Sequence, residues 1–285
     1  MASKQRLDLE LVARGLVTSR QQAQQLIRAG QVRSGDQVLD KPGTEVRPQT
    51  PLQVQEQPRF VSRGGDKLAA ALEAFDLPVA GRVCLDGGIS TGGFSDCLLQ
   101  AGASLIYGID VGYGQTAWSL RSDPRVVLKE RTNLRHLTPE QLFSPGAPRP
   151  DLAVADVSFI ALALVLPALL GLMRPLDDQT CRDLVLLVKP QFEVGRERVG
   201  KGGVVRDPAA HRLAIEGVIA AAQGLGLAAA GLIASPITGP AGNHEYLLWL
   251  QPNRSLATSP SPATTRELTS ERIADLVDQT LAPKG

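Results

Sequence analysis

The chain has 285 residues, 43% hydrophobic and 21% charged, an ordinary globular balance with enough apolar material for one large domain or two smaller ones. Its three cysteines, Cys84, Cys97 and Cys181, include no C-x-x-C pair, which excludes a disulfide scaffold, argues against a zinc site and suits a reduced cytoplasm. The net charge of +1 hides an asymmetry: residues 1–67 carry 11 Lys and Arg against 7 Asp and Glu, so the basic excess lies at the amino end and suggests an anionic partner such as nucleic acid.

The opening MASKQRLDLE has no apolar core, so no secretory signal is expected. Two short helices are predicted over residues 6–28. Leu7, Leu11 and Val12 share one face, and Gly15 stops the first helix. Ser19 with Gln22 predicts a capping box for the second, Ala23, Leu26 and Ile27 its buried face, and Gly30 its end. Strand-like pieces follow at Gln31–Arg33, Gln37–Leu39 and Leu52–Val54, separated by the Ser34-Gly35-Asp36 and Lys41-Pro42-Gly43 turns.

Arg6-Leu7-Asp8, Arg14-Gly15, Ser19-Arg20, Ala23, Leu26-Ile27, Gly30, Val32 and Lys41-Pro42-Gly43 together resemble the S-four-like RNA-binding domain. The resemblance implies a small α+β module presenting basic residues to structured RNA over residues 5–57. Arg14, Arg20 and Arg28 would touch backbone phosphates, with Arg6 a further candidate; such contacts position an RNA rather than read it.

The polar stretch Gln55–Arg59 marks the joint, with a linker at 58–60 before a larger domain at 61–251. There, strand candidates at Val83–Asp86, Leu105–Asp110, Val126–Leu128, Leu152–Asp156, Leu184–Val188, Leu227–Ala234 and Tyr246–Leu250 alternate with helices near 66–75, 93–101, 161–173 and 208–224. That order predicts an α/β, doubly wound, Rossmann-like sheet with its ligand site at the carboxyl ends of the strands. The apolar run Phe159–Met173 is too short to span a membrane and reads as a buried segment.

The first strand of this domain ends in Asp86-Gly87-Gly88-Ile89-Ser90-Thr91-Gly92-Gly93-Phe94, and Asp110 ends the second. An acid at that place can accept both hydroxyls of a ribose. Ser90 breaks the nicotinamide-type glycine spacing, and Gly93-Phe94 replaces the Lys-Ser/Thr of a phosphate-binding loop. No pyrophosphate cradle is needed, which favours a nucleoside cofactor without phosphates, S-adenosylmethionine. A second glycine-lysine pattern, Gly195 to Lys201, lacks both the following Ser/Thr and a preceding strand. It reads instead as a mobile basic loop whose Arg196, Arg198, Lys201 and Arg206 could meet RNA phosphates; Arg63 is another such candidate.

Four ionisable residues stand where such a sheet would gather them: Lys67 at a helix start, Asp156 and Lys189 at strand ends, and Glu245 before the last strand. Charged groups attached to apolar strands are usually paired or catalytic. The motifs around them (Ser62-Arg63-Gly64-Gly65-Asp66-Lys67-Leu68, Gly108-Ile109-Asp110-Val111-Gly112, Ala155-Asp156-Val157-Ser158-Phe159-Ile160, Val188-Lys189-Pro190-Gln191-Phe192-Glu193 and Asn243-His244-Glu245-Tyr246) resemble those of FtsJ-like ribose 2′-O-methyltransferases. The chain as a whole resembles the TlyA, or hemolysin A-like, family, with Gly87 a departure from the more usual apolar residue.

The resemblance implies S-adenosylmethionine-dependent methylation of a cytidine ribose in ribosomal RNA or ribosomal subunits, without a metal or a membrane. Lys67, Asp156, Lys189 and Glu245 would form the catalytic set, with Lys189 at the 2′-oxygen as general base or as charge-stabilising cation. Asp86, Gly88, Ser90, Thr91, Gly92, Gly93, Phe94, Asp110 and Asn133 would contact the cofactor, with Thr132 a weaker candidate. A flexible tail is expected over Pro252–Pro262, followed by an amphipathic helix using Leu268, Ile273, Leu276, Val277 and Leu281.

Overall fold

The computed structural model describes residues 4–55, 58–175, 182–253 and 268–282. The chain divides into two compact units, residues 1–59 and 60–285.

In the first unit, β1 (Gln5–Arg6) leads into α1 (Leu7–Ala13) and α2 (Arg20–Arg28). Then come β2 (Val32–Ser34), β3 (Gln37–Val38), β4 (Glu45–Val46) and β5 (Gln53–Val54). Strands β3, β2 and β5 form one small antiparallel sheet, and β1 pairs with β4. The Ser19 hydroxyl accepts from the Gln22 amide, as its place before the helix predicts. The Gln22 side chain, however, returns to Thr18 rather than Ser19, so the reciprocal half of the cap is displaced by one residue. Leu7, Leu11, Ala23, Ile27, Val32 and Val46 close the core of this unit.

The second unit opens with α3 (Gly64–Ala74), followed by β6 (Val83–Gly87), α4 (Gly93–Gln100), β7 (Leu105–Ile109), α5 (Trp118–Arg121), β8 (Val126–Lys129), α6 (Pro139–Leu142) and β9 (Leu152–Ala155). Next are α7 (Leu162–Leu172), β10 (Asp183–Val188), α8 (Pro190–Glu193), α9 (Pro208–Gln223), β11 (Leu227–Ala234), β12 (Tyr246–Pro252) and α10 (Ser270–Leu281). Seven strands form one sheet in the order β11-β12-β10-β9-β6-β7-β8, parallel except for β12, which is antiparallel to both neighbours.

Both faces of the sheet are covered, so its strands read as continuous apolar runs. Along β10, Leu184, Leu186 and Val188 enter one core with α7 and α9, while Val185 and Leu187 enter the other with α3 and α4. The carboxy-terminal helix α10 docks: Ile273 and Val277 are buried in the first of these cores. The expected tail lies largely at residues 254–267, outside the described residues.

Candidate active site

The chain builds β6, β7 and β8 outward in one direction, then crosses back to place β9 on the other side of β6. Loops leaving β6 and β9 therefore diverge and open a crevice at their carboxyl ends, the usual ligand position in such sheets. Asp110, Asp156 and Lys189 follow β7, β9 and β10 at that edge. Because β12 runs the opposite way, Glu245, which precedes it, arrives at the same edge, where Tyr246 pairs with Val188. Lys67 comes from the first turn of α3. That helix approaches α4 so closely that a Cβ on Gly93 would collide with Ser62 Oγ and Gly65 N.

The four side chains form two ion pairs. Lys189 Nζ lies 2.6 Å from Asp156 Oδ1 and donates to Ser158 Oγ at 2.8 Å. Lys67 Nζ donates to Glu245 Oε2 at 2.5 Å, and both residues are buried. All four line one cavity of about 320 Å³, together with Arg63, Ser90, Thr91, Gly93 and Phe94. Two lysines facing two carboxylates make the set formally neutral, so each cation is held in place without a net charge to bury.

A second cavity of about 320 Å³ adjoins the first and shares Gly88, Ser90, Asp156 and Ser158 with it. Ile109, Val111, Leu134, Val157, Ile160 and Val165 supply apolar walls, and Asp110, Thr132 and Asn133 supply polar groups. Asp110 accepts from the Ser90 amide at 2.8 Å and the Gly112 amide at 2.6 Å. Each of its oxygens keeps a lone pair for a ribose hydroxyl. Gly88 has φ +82°, and a Cβ there would sit 2.6 Å from the Asp156 carbonyl oxygen, so only glycine lets the two segments lie this close where they leave the sheet, before their loops part. The described lining holds the carboxylates Asp110 and Asp156 and no lysine or arginine. That electrostatic character opposes a phosphate-bearing cofactor and suits S-adenosylmethionine, whose sulfonium is cationic.

Several predicted contacts fall elsewhere. Asp86 is fully buried beneath the glycine loop, where the Ser95 hydroxyl donates to it at 2.6 Å. Burial pushes its carboxyl up to about 7, and it lines neither cavity. Gly92 is also absent from both linings; its φ of +103° and the Leu120 side chain packed against it make it a turn residue. The side chain of Leu134 fills the space beside Gly87, where a Cβ would lie 2.7 Å from Leu134 Cδ2.

Arg14 is not free to meet a phosphate. It donates to Glu10 and to the carbonyls of Arg47, Pro48 and Thr50, so Nε and both terminal nitrogens are spent inside the domain. Arg6 and Arg20 share Asp8, with outward nitrogens left over, and Arg28 is exposed. Arg63, Arg196, Arg198, Lys201 and Arg206 are exposed and form no ion pair among the described residues. The loop carrying the last four is stapled by Asn243, which donates to the Gly203 carbonyl and accepts from the Val205 amide. The loop expected to be mobile is therefore tied down at Gly203 and Val205.

Sequence reasoning overlooked two participants. Ser158, beside Asp156, is the second partner of Lys189. Phe159, taken as the start of a buried segment, is 91% exposed with φ +63° and lies 5.0 Å from the Phe192 ring. A strained, exposed aromatic at a cavity rim offers a π-face to a planar ligand; its place in the Asp156 motif was the available signal.

Comparison with known proteins places this geometry. Residues 60–252 match the FtsJ-like methyltransferase model and residues 5–51 match the S4 domain. A Mycobacterium tuberculosis protein described as "16S/23S rRNA (cytidine-2'-O)-methyltransferase TlyA" is 52% identical over 261 residues, 91% of this chain and 94% of that one. A Bacillus subtilis protein described as "Putative rRNA methyltransferase YqxC" is 49% identical over 87% of this chain and 86% of its own. Among solved structures, "Putative hemolysin from Streptococcus thermophilus" superposes with a TM-score of 0.68 at 38% identity, covering 98% of this chain and 96% of that one.

Proposed function

The chain belongs to the FtsJ-like methyltransferase family, and from that premise we propose that it methylates a cytidine ribose 2′-hydroxyl in ribosomal RNA, with 16S and 23S RNA both as substrates. The observation that carries this reading is the pair of adjoining cavities, one acidic with apolar walls, the other lined by the two ion pairs. A purely binding protein would have no need to hold two lysines against two carboxylates at a strand edge.

When bound, S-adenosylmethionine supplies an electrophilic methyl group on a positively charged sulfur. Asp110 would hold its ribose hydroxyls, the aliphatic walls its adenine, and the Gly88–Gly93 turn its methionine part. Lys189 Nζ would contact the substrate 2′-oxygen, either as a neutral amine that takes its proton or as an ammonium that offsets the negative charge left on the oxygen when that proton passes to water. Asp156 and Ser158 fix that ammonium from behind, at 2.6 and 2.8 Å, so orientation is set before the substrate arrives. Lys67 and Glu245 line the same cavity and would hold the target ribose. The S4 domain and the exposed Arg196–Arg206 loop would bind RNA phosphates. Among the described residues no helix is long and apolar enough to cross a membrane, which gives a membrane-lytic role no support from that source.

Purified protein incubated with methyl-tritiated S-adenosylmethionine and ribosomal subunits from cells lacking the gene tests the proposal. Label is expected in their rRNA and not in rRNA from gene-bearing cells, whose sites are already filled. Equal labelling of both, or of neither, contradicts it.

A further inference from the structure

The amino-terminal unit contains a fully buried carboxylate, Asp8. Its Oδ1 accepts from Arg6 Nε at 3.0 Å; its Oδ2 accepts from Arg6 Nη2 at 3.0 Å, Arg20 Nε at 3.0 Å and Gln24 Nε2 at 2.9 Å. The Arg6 hydrogen bond, with help from Gln24 and Arg20, holds this carboxyl well below the usual carboxylate range, so it stays ionised. Two guanidiniums thus converge on one negative charge, and the cluster keeps a net charge of +1.

The two arginines are not consumed by the contact. Arg6 Nη1 and both terminal nitrogens of Arg20 make no hydrogen bond among the described residues, and the two side chains are 46% and 53% exposed. Arg14, in the same unit, is the contrast: all its nitrogens are occupied by backbone carbonyls and Glu10. The Lys41-Pro42-Gly43 turn braces one side of the Arg6 guanidinium, since the Asp8 amide donates to the Pro42 carbonyl and a Cβ on Gly43 would lie 3.4 Å from Arg6 Nη1, while the side chain stays 46% exposed.

We propose that Asp8 is a positioning residue for RNA: by clasping Arg6 and Arg20 it holds their outward donors as a preformed subsite for one backbone phosphate. This rests on the RNA-binding reading above. Free arginine side chains lose rotamer freedom on binding a phosphate; here that freedom is already lost in the folded protein. The residual positive charge and the open donors are complementary to a phosphate, whose oxygens accept from guanidinium forks.

The test separates positioning from simple charge. Removing an acid from an RNA-binding surface should strengthen binding by Coulomb's law. The clasp predicts the reverse: Asp8→Asn should weaken rRNA affinity by about tenfold, the scale of immobilising one or two long side chains. The KM for ribosomal subunits should rise alongside it, with the rate at saturating subunits and the binding of S-adenosylmethionine unchanged.

In an Arg6→Ala/Arg20→Ala background, Asp8→Asn should weaken binding no further. If wild-type protein does not bind rRNA, the underlying function fails. If the double arginine variant binds normally, the subsite fails. If the arginines matter but Asp8→Asn binds as tightly as wild type or tighter, the positioning role fails. Should Asp8→Asn not fold, Gln24→Leu, which loosens the same carboxylate without changing charge, carries the test: weaker binding supports the clasp and unchanged binding overturns it.

Discussion

Lys189 meets Asp156, Ser158 and the open cavity at one atom, and its strand-end position separates chemistry from folding. Lys189→Met should lose at least about 10²-fold in methyl-transfer rate, the usual scale for an acid–base group, while thermal unfolding and rRNA affinity stay close to wild type. Lys189→Arg distinguishes its roles, since arginine keeps the charge but does not release a proton near neutrality. Partial activity indicates charge stabilisation; inactivity equal to the methionine variant indicates a base. Full activity in both would remove Lys189 from the reacting centre.

The buried Lys67–Glu245 pair behaves differently. Lys67→Met leaves a buried carboxylate without its cation, a loss of about 3–5 kcal/mol in denaturant unfolding. Adding Glu245→Gln should restore much of the stability and none of the activity.

Asp86 has a pH signature. The folded chain keeps this proton to about pH 7, while the unfolded chain releases it near 3.8. Between those values the folded state binds more protons, so this group's contribution to stability falls as pH rises. Asp86→Asn removes that slope: Tm relative to wild type should shift in favour of the variant from about pH 4 to about pH 7. Parallel Tm curves for the two proteins across that range would contradict the burial. That Asp156 and Lys189 meet Lys67 and Glu245 at one cavity was legible in the sequence, because charged residues at the ends of apolar strands stand out. The occupation of Arg14 was not, because its carbonyl partners come from a turn more than thirty residues away whose approach no local pattern encodes.

At the scale of elements, all seven strands of the large sheet were legible within one or two residues, because a sheet buried on both faces writes itself as apolar runs bounded by turns. The two-residue strands β1 and β4 were not, since pairs such as Gln5–Arg6 and Glu45–Val46 have no periodicity to read. Helix α3 begins at Gly64, two residues before the expected start, and its Gly65 packs so closely on Phe60 that a Cβ there would collide with the ring.

Asp110 follows the end of β7 and lines the proposed cofactor cavity. It braces the Ser90 and Gly112 amides as well as facing the acidic cavity. Asp110→Ala should therefore weaken S-adenosylmethionine binding by about 1–3 kcal/mol, the scale of losing a buried hydrogen-bonded carboxylate. Unchanged calorimetric affinity would take Asp110 out of the site.

The whole molecule combines a small basic unit with a larger catalytic one, a division already visible in the charge asymmetry of the sequence. Removing residues 1–59 should leave S-adenosylmethionine affinity intact while sharply weakening rRNA binding and methylation, with the difference greatest at low salt, where phosphate contacts dominate. Equal affinity of the full and truncated chains for ribosomal subunits would contradict that division of labour.

The central claim is that the methyl group lands on a ribose oxygen, and the chemistry of RNA itself reports this. Alkali cleaves RNA through the ionised 2′-hydroxyl, so a 2′-O-methyl group protects the adjacent phosphodiester. rRNA labelled by this protein from methyl-tritiated S-adenosylmethionine, then hydrolysed in alkali, should release its label in resistant dinucleotides beginning with cytidine, and Lys189→Met protein should give none. Label recovered in mononucleotides, and so on a base, would contradict the account.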